Sequence, residues 1–167
     1  MNEKVNFGSR KVLKTKKTKL VSDIFSSVSN KYDLMNDAMS FGLHRLWKER
    51  MYIVSKLKNS DNVLDLATGT GDIALKFLSK KKLISITCLD ENQEMLDICK
   101  NRLIDNGFVK DIDFIKSPAE IATLKENNYT LATIAFGFRN FTDHLKSLEN
   151  IYNSLIPGGR LVIMEFT

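Results

Sequence analysis

A chain of 167 residues has room for one core-bearing domain and little more. With 43% hydrophobic residues it is globular, and no apolar run approaches the roughly 20 residues a bilayer span requires. The net charge of +5 is concentrated at one end: residues 1–20 hold seven Lys and Arg against Glu3, and the remainder is close to neutral.

That body has no basic stripe and no basic–aromatic alternation, which argues against nucleic acid as a partner. Residues 1–19 read as a basic, flexible and solvated arm; contact with anionic lipid or nucleic acid is the alternative for the arm itself. The N-terminus is polar and lacks the apolar centre of a signal peptide. The two cysteines, Cys88 and Cys99, have no metal-ligand spacing. They are expected to be reduced and at least half-buried, in a cytoplasmic chain that holds no metal.

Beyond the arm, Leu20, Val21, Ile24, Phe25 and Val28 recur at helical spacing. The stretch Tyr32 to Trp47, YDLMNDAMSFGLHRLW, is dense in Asn, Asp and Met. It predicts broken helix or loop up to Gly42. A cap at or near Ser40 would then start a helix from about Leu43 to Lys56. Residues 20–60 would form a helical unit in which Met35, Met39 and Trp47 either pack the core or cover a site as a flap.

The rest alternates. Strand Val63–Ala67 leads to helix Asp72–Lys80, and strand Ile84–Leu89 to helix Asn92–Asn106. A third strand covers Asp111–Lys116 and a fourth, almost wholly apolar, Thr130–Phe136. Helix Asp143–Leu155 follows. Pro157-Gly158-Gly159 turns into a fifth strand, Arg160–Phe166. This order predicts, for residues 61–167, an α/β fold with a doubly wound, mostly parallel sheet.

The chemistry centres on Asn62–Asp72, NVLDLATGTGD, a strand, a turn with Gly69 and Gly71, and a helix start. Such a unit brings backbone amides close to a ligand; a tight turn with no ligand is the bland alternative. The missing third glycine and P-loop lysine argue against a nucleoside triphosphate and against a dinucleotide. Asp90 ends the second strand about 20 residues beyond Gly71, where such folds place a carboxylate on a ribose diol. Ligands in these sheets sit at the carboxyl ends of the strands. That rule also selects Ser117-Pro118-Ala119-Glu120 and Phe136-Gly137-Phe138-Arg139-Asn140. Arg139 would act in the site or hold a structural carboxylate.

Together these motifs resemble Class I S-adenosylmethionine-dependent methyltransferases, with a Rossmann-like fold. The Tyr32–Trp47 block, TIAFGFRNFTD from Thr133 to Asp143, and the terminal GGRLVIMEFT narrow the resemblance to the UbiE/MenG C-methyltransferases of ubiquinone and menaquinone biosynthesis. The resemblance implies S-adenosyl-L-methionine as methyl donor and a polyprenylated benzoquinol or naphthoquinol as acceptor. By the same resemblance Gly69, Thr70 and Gly71 would contact the donor's amino-acid end and Asp90 its ribose. Pro118 and Ala119 would line the adenine, and Ala135 would border the donor site. Arg139, Asn140 and Tyr32 would face the quinol and assist its deprotonation. Arginine stays charged, so Arg139 is read as stabilising a developing phenolate. His44, the other group that titrates near neutral pH, is read as a packing or capping residue.

Three positions depart from the family pattern. Thr68 stands where many relatives have glycine, Pro118 where Asp or Asn often precedes Ala-Glu, and Ala135 where Ser is frequent. Family members also continue beyond Thr167, so the last helix and the final strand pair are expected to be missing. The alternative to an enzyme is an inactive, scaffold-like subunit of a quinone-biosynthesis assembly. Other such proteins, or a second copy, are the expected protein partners, with peripheral contact at the inner membrane.

Overall fold

The computed structural model describes residues 4–7, 10–13, 43–81 and 83–165. The expected helix at Leu20–Val28, Tyr32, the cap at Ser40 and the end of the fifth strand at Phe166 lie outside the described residues.

Two short strands come first, β1 (Lys4–Phe7) and β2 (Arg10–Leu13), paired antiparallel with Val5 opposite Val12. Part of the basic stretch read as a flexible arm therefore carries a ladder. Helix α1 (Leu43–Ser55) follows, then β3 (Asn62–Leu66), α2 (Asp72–Lys80), β4 (Ser85–Asp90), α3 (Gln93–Asp105), β5 (Ile112–Lys116), β6 (Tyr129–Ala135), a 3-10 turn at Phe138–Asn140, α4 (His144–Ser154) and β7 (Leu155–Met164).

The strands β3 to β7 form one parallel sheet in the order β5-β4-β3-β6-β7. The chain winds outward from β3 to β5, returns to β6 beside β3 and then adds β7. This is the doubly wound α/β arrangement expected of a Rossmann-like methyltransferase fold. Apolar residues alternate across both faces. Val63, Ile86 and Leu131 pack with Phe77, Leu96 and Met51 under α1, α2 and α3. Leu64, Leu66, Ala132 and Ile134 pack with Ile151 of α4 and with Ala119 and Ala122. A parallel sheet covered on both faces reads as near-continuous apolar strands.

The helices bury stripes at helical spacing: Ile73, Ala74, Phe77 and Leu78 in α2, and Met95, Leu96, Cys99 and Leu103 in α3. Asn92 and Asp143, expected as first helical residues, are instead N-caps whose side chains accept the amides of Met95 and Lys146. The fifth strand begins earlier than expected. Tyr129 pairs with Leu155 but Leu131 pairs with Arg160, so Pro157-Gly158-Gly159 bulges out within β7 rather than preceding it.

The sheet closes tightly at one point. A Cβ added to Gly137, just beyond β6, would overlap the Cβ of Ala67, just beyond β3. Gly137→Ala is expected to lower stability by about 1–3 kcal/mol. A urea transition with an unchanged midpoint would show that the two loops part freely.

Candidate functional site

The carboxyl ends of β3 and β6 lie side by side where the strand order reverses, the place at which open α/β sheets take ligands. A cleft of about 700 Å³, its open mouth included, occupies this position. Its walls come from four strand ends: Ala67 and Gly69 after β3, Leu89 and Asp90 in β4, Pro118 and Ala119 after β5, and Ala135, Phe136 and Asn140 from β6 onward.

The glycine turn is shaped by three left-handed residues, Ala67 (φ 50), Gly69 (φ 55) and Gly71 (φ 82). A side chain on Gly69 would meet nothing within 4 Å, so that residue opens onto the cleft. Its amide points the other way and donates to Asp90 Oδ2 at 2.8 Å, while the amide of Asn92 donates to Oδ1 at 2.9 Å. Burial pushes the Asp90 carboxyl up, against the backbone amides of Asn92, Gly69 and Glu91, which favour its charge.

Thr70 and Gly71 do not reach the cleft wall. The carbonyl and hydroxyl of Thr70 accept from the Arg102 guanidinium at 3.3 and 3.4 Å. Gly71 packs on Cys99, whose Sγ lies 2.5 Å from where a Cβ would stand. The turn is anchored further by Asp72, paired with Lys48 of α1 and with Arg102 at 2.7 Å. Burial works against the Asp72 charge, but those two cations outweigh it and hold the carboxyl below its ordinary range.

Beneath the turn lies a residue that the motif reading did not single out. Asp65 is 1% exposed in the middle of β3. Its Oδ2 accepts the hydroxyl of Thr68 at 2.6 Å, and its Oδ1 the hydroxyl of Thr133 on β6 at 2.7 Å. Burial dominates and pushes its carboxyl up to about 6, with the hydroxyls of Thr68 and Thr133 opposing and the charges of Asp90 and Asp72 adding to the rise. Its signal in the sequence was an acid inside an otherwise apolar strand.

Across the cleft, Phe136 is held at φ 58, with its amide bonded to Met164 O at 2.8 Å and its ring 5.5 Å from that of Trp47. A bulky side chain at positive φ is strained, and such strain clusters at functional sites. Asn140 lines the cleft, whereas Arg139 stands beside it, half-exposed and ion-paired with Glu165. Glu120 fixes the next loop by accepting the amides of Thr142 at 2.6 Å and Asp143 at 3.0 Å. Of the residues expected from sequence, Gly69, Asp90, Pro118, Ala119, Ala135 and Asn140 meet at one cleft; Tyr32 is not among the described residues.

Residues 11–167 match the ubiE/COQ5 methyltransferase family. The chain belongs to that family.

It is 43% identical over 165 residues to the "Ubiquinone/menaquinone biosynthesis C-methyltransferase UbiE" of Wigglesworthia glossinidia brevipalpis, covering 97% of this chain and 65% of the relative. It is 46% identical over 166 residues to the protein of the same name from Rickettsia prowazekii, covering 97% of this chain and 66% of that one. The chain thus spans about 65% of the length of such ubiE/COQ5 relatives. Among solved structures it resembles a SAM-dependent methyltransferase from Aquifex aeolicus, with a TM-score of 0.64 and 27% identity over 71% of this chain and 63% of that one. It also shares a fold with the [4+2]-cyclase SpnF, with a TM-score of 0.75 and 20% identity over 87% and 58% of the two chains.

Thr68 supplies one of the two hydroxyls on buried Asp65. Asp65 binds its proton more readily in the folded than in the unfolded state. Its contribution to stability is therefore fully present below about pH 4 and lost as pH rises through about 6. Asp65→Asn keeps polar partners for both threonines and cannot ionise. The variant should gain stability relative to wild type between about pH 4 and 7, by on the order of 2 kcal/mol. Denaturant melts across that range measure it, and a difference that does not change with pH would refute the assignment.

Proposed function

We propose that this chain carries the donor site, and part of the acceptor site, of a C-methyltransferase that moves the methyl group of S-adenosyl-L-methionine onto the ring carbon of a polyprenylated benzoquinol or naphthoquinol. The observation that supports this reading best is the cleft at the strand switch, with half-buried Asp90 on one wall and Pro118 and Ala119 beside it. A carboxylate whose two oxygens already hold the amides of Gly69 and Asn92 is fixed in orientation, and each oxygen retains accepting capacity for a vicinal diol. The apolar surface of Leu89, Met95, Pro118 and Ala119 suits an adenine ring. Pro118 offers no side-chain hydrogen bond to the adenine amine, so donor affinity is modest compared with a relative bearing Asp or Asn there.

The donor supplies an electrophilic methyl on a sulfonium. The ring carbon forms the new carbon–carbon bond as the sulfur–carbon bond breaks and its electron pair stays on sulfur. The ring then loses a proton to regain aromaticity, and one proton is released overall. Ring carbon becomes nucleophilic as the neighbouring hydroxyl gives up its proton, so the protein has to orient two substrates and stabilise a phenolate. Asn140 on the wall and Arg139 beside it are the polar groups assigned to that oxygen, with Tyr32 from the preceding block. Phe136 and Trp47 offer an aromatic surface on which a quinol ring can lie.

A quinol with a prenyl tail resides in a bilayer, and the described residues contain no helix long and apolar enough to cross one. Access from the membrane surface fits this substrate, with Lys and Arg of residues 1–20 drawn to anionic headgroups. Among the described residues no cluster of ligating side chains suits a metal ion.

Calorimetry of S-adenosylmethionine on the full chain should give saturable binding that Asp90→Ala weakens about 10- to 100-fold, the loss expected for hydrogen bonds to a charged group. Transfer of a radiolabelled methyl group to a short-chain hydroquinol then tests the reaction. A folded chain that binds no donor would overturn the assignment.

A further inference from the structure

Glu165 had no role assigned from the sequence beyond its place in the fifth strand, yet it makes a two-point contact with the residue assigned to the acceptor oxygen. One carboxylate oxygen accepts the backbone amide of Arg139 at 3.1 Å, and the other pairs with the Arg139 guanidinium. The arrangement is asymmetric. The Glu165 side chain is 17% exposed, whereas that of Arg139 is 50% exposed. The carboxylate is thus the fixed member and the guanidinium the one that reaches outward.

Glu165 owes its own position to β7. It follows Met164, whose carbonyl accepts the amide of Phe136, three residues before Arg139. The 3-10 turn Phe138–Asn140 is therefore tied to the end of β7 at both Phe136 and Arg139. A free arginine side chain carries considerable rotamer entropy. Pairing it with a partly buried carboxylate removes most of that freedom before a substrate arrives. The five donors of a guanidinium lie in one rigid plane, so the direction in which Glu165 holds the group sets the direction of all of them.

We infer that Glu165 is a positioning residue for the methyl transfer: it acts through Arg139, setting the direction in which the guanidinium meets the acceptor phenolate. The inference rests on the C-methyltransferase reading above and names the device that orients its anion-stabilising group.

The test is a double-mutant cycle on the full chain with Arg139→Ala, Glu165→Ala and the double variant. S-adenosylhomocysteine is bound first and its affinity measured by calorimetry. 4-Nitrophenol is then added as a phenol probe, and its absorbance reports the pH at which the bound probe ionises. Methyl transfer to a short-chain hydroquinol is followed in parallel.

Arg139→Ala should lower kcat about 100-fold, as for loss of one oxyanion donor, and return the probe towards its solution ionisation. Glu165→Ala should lower kcat about 10-fold or more, as a misplaced group does. The double variant should be no worse than Arg139→Ala alone. Affinity for S-adenosylhomocysteine should stay within about twofold throughout, since neither residue lines the cleft. Glu165→Gln, which keeps an acceptor for the amide, replaces the alanine variant if that one unfolds. Effects that multiply in the double variant, or a Glu165→Ala enzyme with wild-type kcat and probe ionisation, overturn the inference while donor binding upholds the broader reading. A folded wild-type chain that binds no S-adenosylhomocysteine overturns both.

Discussion

A carboxylate sealed inside a parallel sheet needs a reason, because burying an ion unpaired is far costlier than burying a hydrogen-bonded amide. Asp65 has no cation against it among its described bonds; it has two hydroxyls, one on the turn that follows its own strand and one on the neighbouring strand. That choice has geometric consequences. The bond to Thr133 spans the β3–β6 pair at the switch in strand order, and the bond to Thr68 pulls the glycine turn back over the end of β3. The amide of Thr68 meanwhile donates to Leu89 of β4 at 3.0 Å. Asp65 and Thr68 thus bind three adjacent strands to one turn, and three of the four walls of the cleft are referenced to that knot. The cost appears as the raised Asp65 carboxyl.

The same device recurs around the rim. Loops that leave strand ends carry amides with no ladder partner, and such groups must find acceptors. Asp90 takes those of Gly69 and Asn92, Glu120 those of Thr142 and Asp143, and Glu165 that of Arg139. Charge-assisted bonds of this kind are short and strong. They help three loops hold fixed shapes around an open cleft. The strained residues follow the same logic. Ala67 and Phe136 sit at positive φ on the two sides of the switch. The contacts of Gly137 with Ala67 and of Phe136 with Met164 and Trp47 oppose relaxation.

The sheet was legible because apolar runs, glycine turns and helix stripes repeat with the periods that burial on both faces demands. Asp90 was legible because it ends a strand at a spacing that the ligand site of such folds imposes. Thr70 and Gly71 illustrate the limit of motif reading. They belong to the turn, but a turn of alternating left-handed residues points only some of its members outward, and α3 captures the others through Arg102 and Cys99. Asp65 and Glu165 were missed for a common reason. Each acts through a partner far away in sequence, Thr133 and Arg139, and no local period marks such a carboxylate. The bulge of Pro157-Gly158-Gly159 escaped notice because Pro-Gly-Gly reads as a turn; only the pairing of Leu155 with Tyr129 reveals that the strand has already begun.

Helix α1 also joins the two sides of the cleft, beside the β3–β6 ladder. Trp47 lies against Phe136, on the β6 side, while its neighbour Lys48 pairs with Asp72, at the start of the helix that follows the glycine turn. One helical turn farther, Met51 is buried with Phe77 of α2 and Leu131 of β6 in the same cluster. Lys48 meets a carboxylate that is largely buried and already shared with Arg102. Removing Lys48 would leave Asp72 with less compensation for its burial, which is costlier than breaking a pair in open solvent. Helix α1 is therefore anchored both to Asp72, where α2 leaves the glycine turn, and to Phe136, in the loop after β6. One helical turn thus ties together segments that leave adjacent strands on the two sides of the switch point, so a change in their spacing would strain one of those contacts.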